Sequence, residues 1–384
     1  MLASVLRSAL RLIRSRRRGA APGPVVFVAD VPEPLQVAVN SGLYSAQASI
    51  RLRTIIPARA LAAAAPVWLL PPHFVLDGKA LKALGTPQAL VVAKFTVSSV
   101  TSNRSTFERL LAWLGAMRGR FRLVADFSDN YAALEAFEGV PFLRRYQEHL
   151  ARSCHVVASC EALRAELAPI AARGISVIED PYESPVARPC RAPQDDPLRL
   201  CWFGNIGQPT LATLERALRG IAARFSGRPI EIELVSAASR REMLEKLGAR
   251  LRAASTGLRT RFTEWSLDET WNAIARCDLV VLPQDAGSPW GRVKSHNRLV
   301  ESLRGGRLAV ASAIPSYLEL GEFAWVGERL EDGIAWALGN PQAAARRVAL
   351  GQDYVERRFA PEAIGARWTR ALGLAADALA GSAA

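Results

Sequence analysis

The chain has 384 residues, half of them apolar and 22% charged, a balance that excludes a disordered polypeptide and leaves room for two domains with cores of their own. A formal net charge of +13 points to anionic partners: nucleic acid, a membrane surface or phosphorylated small molecules. The five cysteines are odd in number and form no C-x-x-C pair, which excludes a disulfide framework or a zinc ribbon and fits reduced thiols in cytoplasm.

Six arginines fall in the first eighteen residues. Leu2, Leu6, Ala9 and Ile13 share one helical face, while Arg7, Arg11, Arg14 and Arg18 share the opposite one. Residues 1–19 read as a basic amphipathic helix on an anionic membrane surface; a solvated basic tail is the other reading. No apolar stretch reaches the length of a membrane span, and no unbroken apolar core follows the arginines, so neither a spanning helix nor a cleaved signal is expected. The arm lacks interleaved aromatics, which speaks against nucleic acid. The expected location is cytoplasmic, peripheral on the inner membrane face.

From Val25 onward, short apolar runs alternate with helical spacers: 25–29, 67–70, 89–94 and 122–126. That alternation predicts a parallel α/β sheet for a first domain over 24–182. Residues 40–55 read as a helix followed by a strand-like edge, and Phe107, Leu110, Leu111 and Leu114 form a helical stripe that covers the sheet. Asp126 and Asp129 stand just past a strand end, where a carboxylate orients an acceptor hydroxyl or acts as base; an Asp cap on a helix start is the alternative. His73, after Pro71-Pro72, is a further strand-end candidate. Four prolines mark 183–197 as a linker.

A second domain, 198–345, opens with a strand ending in Gly204-Asn205. Ile230 to Val235 alternates as a strand, and Trp265 precedes a helix, either stacking on a base or half-buried against that helix. Residues 287–312 combine several jobs. Cys277 to Leu282 is a short run of strand length that stops at Pro283, so the loop with Gly287, Pro289 and Gly291 lies beyond its carboxyl end, where open parallel sheets bind ligands. Ser295 is the expected cap of a helix through Asn297, Arg298 and Leu303, whose first-turn amides favour an anion. Lys294 and Arg298, four apart, bring two cations to that end, a seat for a diphosphate; Glu301, one turn on, offers a carboxylate to a ribose diol. A solvated, salt-bridged helix face is the other reading of these charges. Residues 346–384 read as terminal helices.

The segment K-S-H-N-R-L-V-E-S-L-R-G-G-R-L-A-V-A-S resembles the donor-binding segment of bacterial glycosyltransferases of the GT-B fold, near the retaining family four and family one enzymes. Lys294, Ser295, Arg298, Glu301, Gly306, Ala311 and Ser312 carry it. The first of that family's paired glutamates falls on Val293, and its Arg and Lys pair is missing around Gly204 to Gly207. The resemblance implies two Rossmann-like domains facing across a cleft, with 346–384 crossing back to the first. It implies transfer of a sugar from a nucleotide diphosphate sugar to a saccharide or lipid-linked acceptor in envelope polysaccharide or glycolipid assembly. It places Gly204, Asn205, Trp265, Lys294, Ser295, Arg298 and Glu301 on the donor and Asp126 and Asp129 beside the acceptor; Asn297 at the helix start joins the donor candidates and His73 the catalytic candidates from their positions alone. No cofactor is expected, and no D-x-D pattern compels a metal. A nucleotide-sugar epimerase of the same build, or a non-catalytic protein on the same frame, are the alternatives.

Overall fold

The computed structural model describes residues 23–134, 139–189, 196–255 and 257–374. The basic arm, 1–19, and Cys190 lie outside the described residues. The chain forms two compact units, one containing the residues up to Pro181 and those from Pro361 on, the other Tyr182–Ala360.

The first unit is a seven-stranded sheet in the order β2-β3-β1-β4-β5-β6-β7. Its strands are β1 (Val25–Val28), β2 (Leu35–Val37), β3 (Val67–Leu70), β4 (Ala89–Val92), β5 (Arg122–Phe127), β6 (His155–Ala158) and β7 (Ile175–Val177). Every residue of β1, β3 and β4 is buried, which is why these runs are continuously apolar rather than alternating: helices cover both faces. All pairs are parallel except β2 with β3, at the edge. The chain goes from β1 to β3 on one side and then crosses to β4 on the other, so β1 and β4 flank the point where the winding reverses. Ile364, Trp368 and Leu372 of the helix Pro361–Leu372 complete this core.

Residues 40–55 depart from expectation. There is no strand-like edge there; the edge strand is β2, and the chain then forms α-helix at Ala48–Ile50, one π-helical turn at Arg51–Ile55 and α-helix again at Ile56–Leu61. Mixed periodicity in the sequence reflects the wider turn, which shifts the buried face and takes Arg51 and Arg53 inward.

The second unit is an all-parallel sheet in the order β10-β9-β8-β11-β12-β13. Its strands are β8 (Leu198–Phe203), β9 (Ile230–Ser236), β10 (Leu258–Glu264), β11 (Leu279–Leu282), β12 (Leu308–Ser312) and β13 (Trp325–Gly327). Winding runs outward from β8 to β10, then jumps to β11 on the other side of β8, so here the reversal lies between β8 and β11. After β12 the chain forms a short helix, Pro315–Leu318, with Pro315 at its first turn, where its fixed φ suits a helix. The helix Pro341–Phe359 buries Val348, Val355 and Phe359 in the second unit's own core, so the return to the first unit starts at Pro361.

Candidate functional site

The reversal point of the second sheet gathers several of the expected residues. Phe203 ends β8, and Gly204 turns with φ +149°, a conformation glycine adopts freely and other residues resist. Its N–H donates to Val235 O (3.1 Å) and its carbonyl accepts from Ser236 Oγ (2.8 Å), which pins the turn to the end of β9. Arg298 lies against this turn: its Nη1 donates to Phe203 O at 3.4 Å, and a Cβ on Gly204 would lie 3.3 Å from the same nitrogen. A side chain 94 positions later in the chain thus closes on a turn that has no side chain to exclude it. Asn205 is exposed beside it. Trp265 follows β10 in the same row of strand ends, its N–H on Ser236 O (2.8 Å), its ring half-buried against the core.

Arg298 is the second residue of the helix Asn297–Arg304. The position before the helix belongs to His296, not to Ser295. Leu299 and Val300 N–H both return to His296 O, and the Asn297 and Arg298 amides have no acceptor among the described residues. Those two amides and the guanidinium make a positive mouth next to the reversal point. Lys294 precedes the helix, as the expected cap at Ser295 also had it. Lys294 sits in the preceding loop, its Nζ over the Trp290 ring (4.1 Å) and its carbonyl held by Ser316 Oγ (2.6 Å).

Two residues of this segment have structural partners that the sequence did not show. The Glu301 carboxylate is not open to a diol: it is buried, with its two oxygens accepting from the Glu183 and Ser184 amides at 2.8 and 3.0 Å. The segment 182–189 enters the unit across this helix, and its amides need an acceptor where water is excluded. Burial lifts the Glu301 pKa to about 7, against the amides that lower it. His296 is 2% exposed; Nε2 meets Glu319 Oε2 at 2.9 Å, while Nδ1 is buried with no partner. Val293, at the position of the missing glutamate, is fully buried.

In the first unit the expected carboxylates have separate fates. Asp126, whose side chain is 0% exposed, is held by both Nε (3.1 Å) and Nη2 of Arg53, whose Nη1 reaches Ile178 O (2.6 Å) and Asp180 Oδ1 (3.2 Å). Burial disfavours the Arg53 charge, but the two carboxylates hold its pKa above the ordinary value. This network joins β5, the chain after β7 and the π-helical turn, and the Asp126 carboxylate, engaged on both oxygens and buried, is closed to a substrate by lack of access. Asp129 pairs with Lys94, which follows β4, and the Asp129 carbonyl accepts from Gln147 Nε2 (3.0 Å). Asp30, just past β1, accepts from Ser99 Oγ. Asp30 and Lys94 follow the two strands that flank the reversal of this sheet, yet neither stood out in the sequence; a polar residue directly after each of two central apolar runs is the signal that finds them. His73 is exposed after β3, on the other side of β1.

No protein-family model and no curated protein sequence matches the chain. Solved structures do. HepE from Anabaena, in complex with UDP and glucose, is similar with a TM-score of 0.59 and 15% identity, covering 91% of this chain and 99% of that one. Trehalose 6-phosphate synthase from Burkholderia multivorans is similar at 0.60 and 10% identity, covering 94% and 98%. A TarM mutant from S. aureus, in complex with Fondaparinux, alpha-GlcNAc-glycerol and UDP, gives 0.53 and 11% identity over 74% of this chain and 55% of that one, so the chain spans about half of TarM. With two α/β sheets of this order and these neighbours, the chain has the GT-B fold.

Proposed function

We propose that the protein is a glycosyltransferase that moves a sugar from a nucleotide diphosphate sugar to a saccharide or lipid-linked acceptor, in envelope polysaccharide or glycolipid assembly. One observation carries the reading: Arg298 lies against the Gly204 turn at the reversal point of the second sheet, beside two helix-start amides. Ligands of open α/β sheets bind at such points. Negative charge that develops on a leaving diphosphate meets a guanidinium and N–H groups already in position, so no group has to reorganise as the bond breaks. Lys294 adds charge from the adjoining loop, Asn297 and Ser295 line the helix mouth, and Trp265 and Asn205 border the space left for a nucleoside. The UDP and glucose in the HepE structure support this ligand class.

For the acceptor, the reading favours Asp129 with Lys94, and Asp30 with Ser99, over Asp126. The reading also puts residues 1–18 at an anionic membrane surface, on the cytoplasmic side. The test is sugar transfer: the full chain is incubated with a panel of nucleotide sugars and a lipid-linked acceptor fraction, alongside Arg298→Ala. Product made only by the parent protein supports the reading; nucleotide-sugar binding without transfer, or epimerised donor in the absence of acceptor, replaces it with the binding-protein or epimerase alternative.

A further inference from the structure

At the edge of the first sheet opposite its strand carboxyl ends, the segments leading into β5, β6 and β7 bring together Arg118, Arg122, Arg145, Arg152 and Arg173. They line two adjoining concavities of about 410 and 210 Å³ that share Arg118 and Ser153. Glu148 is the one carboxylate on either wall, and it pairs with Arg152. Five guanidinium groups thus face one carboxylate.

Arginines often gather where helices end, because the last carbonyls attract cations. That accounts for two of them: Arg118 Nη2 reaches Arg152 O (3.4 Å) and Arg122 Nε reaches Ala371 O (2.5 Å). It does not account for Arg145, which lies inside the helix Val140–Ser153, or for Arg173, which lies in the turn before β7. Both are exposed, and neither has a carboxylate within ion-pair distance among the described residues. Two histidines lie in the same walls. His149 has a buried Nε2 with no partner, and its pKa is lowered by burial and then by Arg118; His155 is lowered by burial, with Arg122 adding to it. The field at this edge is positive.

Shape selects among anions. A flat membrane is gripped by protruding apolar side chains among the cations, whereas here the large hydrophobic residues nearby, Trp113 and Phe121, are half-buried against each other (6.2 Å between centroids). A concave, guanidinium-lined wall suits a compact group with three acceptor oxygens per phosphorus. We propose that this edge of the first unit is a binding site for a compact phosphate-bearing ligand, separate from the reversal points of both sheets.

The probe is inorganic pyrophosphate, measured by equilibrium dialysis against the full chain carrying Arg298→Ala, which removes the proposed donor seat. Adding R118Q, R145Q and R173Q should weaken binding at least about a hundredfold, and R173Q alone about tenfold, as expected when charged hydrogen bonds to an anion are lost. Unfolding curves check that each variant is folded; should the triple variant fail, the single one decides. Pyrophosphate that binds the parent and the variants equally, or does not bind the parent, overturns the proposal. So does patch-dependent sedimentation with phosphatidylglycerol vesicles when pyrophosphate binding is unaffected, since that assigns the charge to a lipid surface.

Discussion

The two sheets reverse their winding in the same way, yet the polar groups at the two reversal points are used differently. In the first unit the charges found near the strand ends are engaged: Arg53 is enclosed by Asp126 and Asp180, Asp129 pairs with Lys94, and Asp30 accepts a hydrogen bond from the Ser99 hydroxyl. In the second unit Arg298 has, among the described residues, only a long contact to a carbonyl, over a glycine turn, with helix amides beside it. Matched charges fix a backbone; an under-matched cation at a turn without side chains is positioned for a ligand. The same topology therefore gathers engaged polar pairs at one reversal point and an under-matched cation at the other.

The sharpest way to break this comparison is to remove the central charge on each side. Arg53→Ala leaves Asp126 and Asp180 buried without their cation, and urea unfolding should show a loss of about 3–5 kcal/mol, as for other broken buried pairs. Arg298→Ala should do the reverse: unfolding within about 0.5 kcal/mol of the parent, but nucleotide affinity down by about 2–3 kcal/mol, read by calorimetry. A stability loss for Arg298→Ala as large as that for Arg53→Ala would erase the distinction.

Glu301 sharpens it further. Glu301→Gln keeps one acceptor but sets an amide N–H₂ against a second backbone N–H, so stability should fall by about 1–3 kcal/mol. Its pH profile carries a sign. The folded pKa, about 7, lies above the ordinary 4.5, so between those values the folded chain binds more protons than the unfolded one. Stability from this group is therefore full below pH 4.5 and declines as pH rises toward 7. Glu301→Gln should flatten that decline; an unchanged slope would place the titration elsewhere. The smallest effect is expected of Gly204→Ala, where φ +149° and the 3.3 Å approach of Arg298 oppose a Cβ. A stability cost of about 1 kcal/mol with a several-fold weaker nucleotide affinity is the expected pair of readings.

How much of this was legible in the sequence follows from the range of each interaction. Buried strands such as Val25–Val28 and Leu279–Leu282 announce themselves because every residue of a central parallel strand faces a helix. The Gly204 turn and Arg298 were each visible locally, but their meeting depends on β8 lying next to β11, a consequence of topology. Partners far along the chain left no local trace: Arg53 finds Asp126, and Glu301 finds the amides of Glu183 and Ser184, so both carboxylates read as open when they are engaged. The helix start moved from Ser295 to His296 for a related reason, since His296 is fixed by Glu319 and Phe359, which no capping pattern encodes.

Calorimetric titration of UDP into the parent protein and into Arg298→Ala shows whether this arginine seats a nucleotide. Saturable binding to the parent is expected, with affinity about thirty- to 150-fold weaker in the variant and coincident unfolding curves. Equal affinity in the two proteins would contradict it, as would a parent protein that takes up neither UDP nor any other nucleoside diphosphate.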